Sequence, residues 1–195
     1  FYDRKVGLIA KTTSAKNSNI DKIITQKKIQ QLLNKYPERK CKVYMLHGDL
    51  TEHEMMALYT HPKIKALINI GHGEGFGLPM FEAAYNSLPV IACGWSGHCD
   101  FLYVPKKNKK GKIKLTPHFA QVDFKIDTVQ KAAHWETIID KDAQWCFADQ
   151  GSYKMTLRKV FNGYDQYKDK ARSLRKWIKK NFIAEDKYKE FADYI

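Results

Sequence analysis

Residues 64–84 read IKALINIGHGEGFGLPMFEAA, and no other stretch restricts the fold as tightly. The first seven form a largely apolar run with the length and β-branched content of a buried strand, Ile64, Ile68 and Ile70 supplying the branching. Gly71, Gly73, Gly75 and Gly77 then fall on alternate positions. That density removes Cβ atoms where a chain turns sharply or comes close to a ligand. Pro79 stands where a helix would begin, because its missing N–H costs nothing in a first turn. Strand, glycine loop and helix N-terminus in this order aim free N–H groups and a positive dipole end at an anion. Glu74 and Glu82 are embedded in the same stretch. An anion site carrying its own acids reads something besides phosphate, and sugar hydroxyls are the natural candidates.

The flanking sequence alternates in the same way. Residues 5–10, 42–46 and 89–93 read as further strands. Between the first two, Ile20, Ile23, Ile24, Leu32, Leu33 and Tyr36 keep a three-to-four spacing that Pro37 stops. Thr51 and Glu54 fit a capping box opening a helix with Met55, Met56, Leu58 and Tyr59, ended by Pro62. This alternation predicts an α/β fold, a Rossmann-like parallel sheet with helices on both faces. Ligands in such sheets sit outside the carboxyl ends of the strands. Residues 11–16, 47–50, 71–78 and 94–97 all follow strands and are expected to line one edge.

Beyond them, residues 105–112 read as an exposed basic loop or hairpin tip, and residues 120–126 as one half-buried strand. The remainder reads as helices, with Met155, Val160, Phe161 and Tyr164 on one and Tyr167, Ala171, Leu174 and Ile178 on the next. Tyr188, Phe191 and Ile195 mark a last one, and these stripes are expected to face the core. Residues 1–195 read as a single domain. The opening on Phe1 rather than Met, just ahead of a strand, reads as a piece of a longer protein.

A hydrophobic content of 44% excludes wholesale disorder, and no apolar run approaches membrane-spanning length. The N-terminus has no signal-peptide layout. Lys and Arg number 34 against 21 acids, a formal charge of +13. Most of these lysines read as a solvated surface, while the excess suits an acidic partner such as nucleic acid, an anionic membrane or a phosphate-bearing substrate. Cys41, Cys93, Cys99 and Cys146 form no C-x-x-C pair. Cys41 and Cys93 fall at or in strands, which predicts free buried thiols in a reducing, cytoplasmic compartment. Asp140 and Asp142 form a D-x-D that reads as a solvated pair ahead of a helix. His72 and His98 read as ordinary loop histidines.

The G-x-G-x-x-G and P-loop motifs are absent, as is a G-x-S-x-G elbow. EGFGLPMFE, from Glu74 to Glu82, instead resembles the E-x7-E signature of two-domain (GT-B) glycosyltransferases, the large retaining group called family 4 or group 1. The continuation AAYNSLPVIACGWSGHCDFL and the upstream HGDLTEHEMMALY are similar to the same family's C-terminal, donor-binding half.

The resemblance implies a retaining hexosyltransferase using a UDP-, GDP- or ADP-sugar, with no metal and no cofactor. It implies that Glu74 is the catalytic-site acid receiving donor-sugar hydroxyls, and that Gly73, Gly75, Phe76, Gly77 and Leu78 meet sugar and phosphate. Lys11 and Lys16 would neutralise the diphosphate, and Glu82 would hold the ribose. It places an acceptor domain ahead of Phe1, allows peripheral contact with an anionic membrane or nucleic acid, and makes this part alone inactive. Three positions depart from the pattern: Lys11 replaces the commoner Arg, Asn17 the usual Gly, and Asp100 the usual Glu. Competing readings are a sugar-nucleotide epimerase or phosphorylase-like enzyme of the same fold, and a basic nucleic-acid-binding module.

Overall fold

A computed structural model describes residues 3–194. The chain divides into two compact units, Phe1–Met55 and Met56–Ile195. In the first, strands β1 (Gly7–Thr12) and β2 (Lys42–His47) pair in parallel around helix α1 (Asn19–Leu33). Ser18 and Asp21 start α1 with a reciprocal capping box. The helix stops short of Tyr36 because the Arg39 guanidinium takes the Leu33 and Tyr36 carbonyls at 3.0 and 3.1 Å. Strand β1 runs two residues past its expected end, so Lys11 lies within the strand and not in the loop after it. Helix α2 (Glu52–Thr60) opens on the predicted box, with the Thr51 N–H on Glu54 Oε2 at 2.8 Å and the Glu54 N–H on Thr51 Oγ1 at 3.3 Å.

The second unit continues with β3 (Leu67–Asn69), α3 (Leu78–Tyr85), β4 (Val90–Cys93) and α4 (Cys99–Leu102). An antiparallel hairpin follows, β5 (Tyr103–Lys107) and β6 (Ile113–Pro117), and then β7 (Ala120–Val122). Strands β3, β4 and β7 make a parallel sheet with β4 central. All four residues of β4 are buried, as a strand covered on both faces requires. Strands β8 (Phe124–Thr128) and β9 (Gln144–Ala148) pair antiparallel, and helices α5 (Gln150–Asn162), α6 (Tyr164–Asn181) and α7 (Ala184–Ala192) complete the unit. The fold is α/β with parallel strand pairing, compatible with a Rossmann-like arrangement. Among the described residues the ladders form four small sheets rather than one continuous sheet. No helix among these residues is long and apolar enough to cross a membrane.

Three expectations need correction. The strand expected over 120–126 is two strands, because α5 takes the backbone of Asp123. Its N–H donates to Ser152 Oγ at 2.9 Å, and its carbonyl accepts the Asp149 N–H at 2.7 Å. The region beyond 126 is not all helical, since β9 pairs with β8; Asp140 and Asp142, both exposed, precede that strand and not a helix. Met155, Phe161, Tyr188 and Phe191 are exposed rather than core-facing, and Ile195 lies outside the described residues. On α5 the inward stripe is Ser152, Thr156 and Val160. Its two hydroxyls bond backbone groups of Asp123 and Gln121, so a count of apolar residues selects the wrong face. Helix α6 does bury Ala171, Leu174 and Ile178, as their spacing predicts.

Ile91, Cys93, Ala120, Val122, Cys146 and Val160 form one core cluster. The second buried thiol is thus Cys146, while Cys41 is half-buried just before β2. Burial pushes the Cys93 thiol up from 9.0 to about 12, and raises Cys146 in the same direction. The unfolded chain therefore loses these protons first. The stability contributed by keeping Cys93 protonated is fully present below pH 9.0 and is lost as pH climbs toward about 12. Urea melts should show a falling midpoint above pH 9.0, and iodoacetamide should label Cys93 only after denaturation. Rapid labelling of the native protein would contradict this burial.

Candidate functional site

The site is built where the parallel strands β3 and β4 end. Strand β3 closes on Asn69, whose amide makes two bonds into the following loop. Its Oδ1 accepts the Gly71 N–H at 2.9 Å, and its Nδ2 donates to Glu74 Oε1 at 2.6 Å. The half-buried Glu74 carboxylate is therefore aimed by a neutral amide. Among the described residues it forms no ion pair. One carboxylate oxygen is fixed, and the group keeps acceptor capacity for hydroxyl donors.

The loop after β4 clamps this loop from the side. Ser96 Oγ donates to the Glu74 carbonyl at 2.6 Å and accepts the Glu74 N–H at 3.0 Å, while the Gly97 N–H reaches the same carbonyl at 3.1 Å. Ser96 holds φ 79°, a left-handed conformation costly for a residue with a side chain. Its two bonds to Glu74 offset that cost. A Cβ on Gly97 would sit 1.7 Å from the Gly75 carbonyl oxygen, so glycine here permits backbone contact between the loops.

Of the four alternating glycines, only Gly77 adopts positive φ, 84°, as the N-cap of α3. A Cβ there would also lie 2.8 Å from Met80 Cε. At Gly75 a Cβ would meet nothing within 4 Å. Pro79 sits in the first turn of α3 as expected, and the loop runs directly into that helix N-terminus. Leu78 is exposed beside it. The Phe76 ring packs on Phe81 and Phe101, both at 5.2 Å, and the residue stays 42% exposed.

Glu82, on α3, accepts the Tyr59 hydroxyl on Oε2 at 3.0 Å. Tyr59 is buried, and burial, with the Glu82 bond and charge added, raises its phenol well above the usual range. Glu82 thus ties α2 to α3 with one oxygen.

His72 and His98 both hold backbone. His72 Nδ1 donates to the Cys146 carbonyl at 2.7 Å, and its ring stacks on Trp145 at 4.8 Å. His98 Nε2 bonds the Cys93 carbonyl at 2.7 Å. A carbonyl only accepts, so Nε2 donates, and the buried Nδ1 has no partner among the described residues.

In the first unit, the loops after β1 and β2 meet. Lys11 Nζ donates to the Gly48 carbonyl at 2.6 Å, and Asn17 Nδ2 to Asp49 Oδ2 at 3.0 Å. Lys16 is exposed. Asn17 adopts φ 56°, the left-handed region that asparagine enters more readily than most residues. Asp100 is exposed in the first turn of α4.

The structure therefore joins Glu74 to Gly97 and the 71–77 loop to α3 within one unit, and Lys11 to the β2 loop within the other. Asn69 and Ser96 escaped the sequence reading. A polar residue closing an otherwise apolar strand, and a serine beside a loop glycine, were the signals for them. No protein-family model matches the chain, and no curated protein matches it.

Proposed function

We propose that this chain is the donor-binding part of a retaining glycosyltransferase, which takes a hexose from a nucleoside diphosphate sugar. One observation carries the reading: a half-buried carboxylate, Glu74, held by Asn69 at a strand's carboxyl end, beside a glycine loop leading into a helix N-terminus. The carboxylate suits sugar hydroxyls, and the loop N–H groups with the helix dipole suit a diphosphate. As the leaving diphosphate gains charge, those fixed dipoles stabilise it without reorganising. The second Glu82 oxygen is assigned to the ribose. Free thiols fit a cytoplasmic setting.

Gly75 offers a clean test. Open space at its Cβ position and an ordinary φ mean that Gly75→Ala should hold or raise the melting temperature. The same methyl should weaken binding of a sugar nucleotide lying against the loop, by roughly tenfold, a cost of about 1.4 kcal/mol. Unchanged affinity in a calorimetric titration would remove the donor from this loop.

A further inference from the structure

The hairpin β5–β6 supplies none of the residues of the site described above. Residues 101–122 contain no acid, yet Lys106, Lys107, Lys109, Lys110, Lys112 and Lys114 all fall within it. Residues 105–115 are exposed throughout. Lys106 and Lys114 stand directly opposite each other in the ladder, a like-charge pairing that works against the hairpin. The tip is ordered nonetheless. Asn108 Oδ1 accepts the Lys110 and Lys112 N–H groups at 3.0 and 2.9 Å, and Gly111 supplies the positive φ of 77° that closes the turn.

Alternation puts Pro105, Lys107, Ile113 and Leu115 on one face of the hairpin. Ile113 and Leu115 are 59% and 61% exposed. The exposed stretch thus pairs aliphatic side chains with ammonium groups, and it carries neither arginine nor an aromatic ring. Base readout favours arginine and single-strand binding favours aromatic stacking, so nucleic acid is the poorer match. Aliphatic groups at the headgroup boundary, ringed by lysines over acidic lipid, fit every feature.

We propose that the β5–β6 hairpin docks this chain onto an anionic lipid surface. The inference is independent of the glycosyltransferase reading, because it uses none of that site's residues.

The test is sedimentation of the full chain with phosphatidylcholine vesicles, with and without phosphatidylglycerol, at low and high salt. Binding should require the acidic lipid and weaken as salt rises. Replacing Lys107, Lys109, Lys110 and Lys112 by Gln should lower partitioning by about 100-fold or more. Ile113→Ser with Leu115→Ser should lower it roughly tenfold at unchanged charge. As a control for net charge, Lys154, Lys159, Lys176 and Lys180, exposed on α5 and α6, are changed to Gln and should lose about twofold or less. Equal binding to neutral vesicles, equal loss in the control, or no loss in the hairpin variants would overturn the proposal. So would lysine-dependent binding of an oligonucleotide with no binding to vesicles. All variants change exposed side chains, and thermal melts confirm that each is folded.

Discussion

Gly97→Ala is expected to unfold the site without touching a ligand. The new Cβ would stand 1.7 Å from the Gly75 oxygen and 2.7 Å from its carbonyl carbon, both backbone atoms that no rotamer change can move. The two loops must separate. Separation breaks the Gly97 N–H bond to Glu74 and the paired Ser96 bonds that hold Ser96 at positive φ. Overpacking with loss of these bonds should cost on the order of 3 kcal/mol. Denaturant melts should register this as a lower midpoint at unchanged slope, since the surface exposed on unfolding is the same. A midpoint within error of the parent would mean that the loops are not packed as described.

Glu74→Gln should have the opposite signature, near-native stability with a damaged site. Gln keeps the length of Glu74 and an oxygen able to accept the Asn69 amide. What it removes is the charge that hydroxyl donors would meet. Hydrogen bonds to a charged group contribute about 1.5–3 kcal/mol. Loss of two such bonds would lower the affinity for a sugar nucleotide by about 100-fold or more, while a bare nucleotide should be held nearly as before. Equal losses for both ligands would assign Glu74 to the nucleotide or to folding.

Much of this arrangement was legible in the sequence, for a physical reason. The parallel strands are apolar runs bounded by breakers, and the α2 cap and Pro79 are local chemistry that operates within one turn of helix. Glu74 could be singled out because its glycine setting is local too. The parts that escaped depend on partners distant in sequence. Asp123 splits one apparent strand in two because Ser152 and Asp149 claim its backbone. Strand β9 forms because β8 is there to pair with it. Ser152 and Thr156 face inward because backbone groups at the end of β7 accept or donate to their hydroxyls. Of the four glycines that drew attention first, only Gly77 is demanded by backbone conformation. Gly97, which received no role from the sequence, is demanded by the close approach of the Gly75 backbone.

The most direct measurement of the central claim is a calorimetric titration with UDP-, GDP- and ADP-sugars alongside their free nucleotides, on the parent chain and on Glu74→Gln. The account predicts that one sugar nucleotide binds more tightly than its free nucleotide, and that Glu74→Gln abolishes this difference while preserving nucleotide binding. Binding that is indifferent to the sugar, or unaltered by Glu74→Gln, would contradict it.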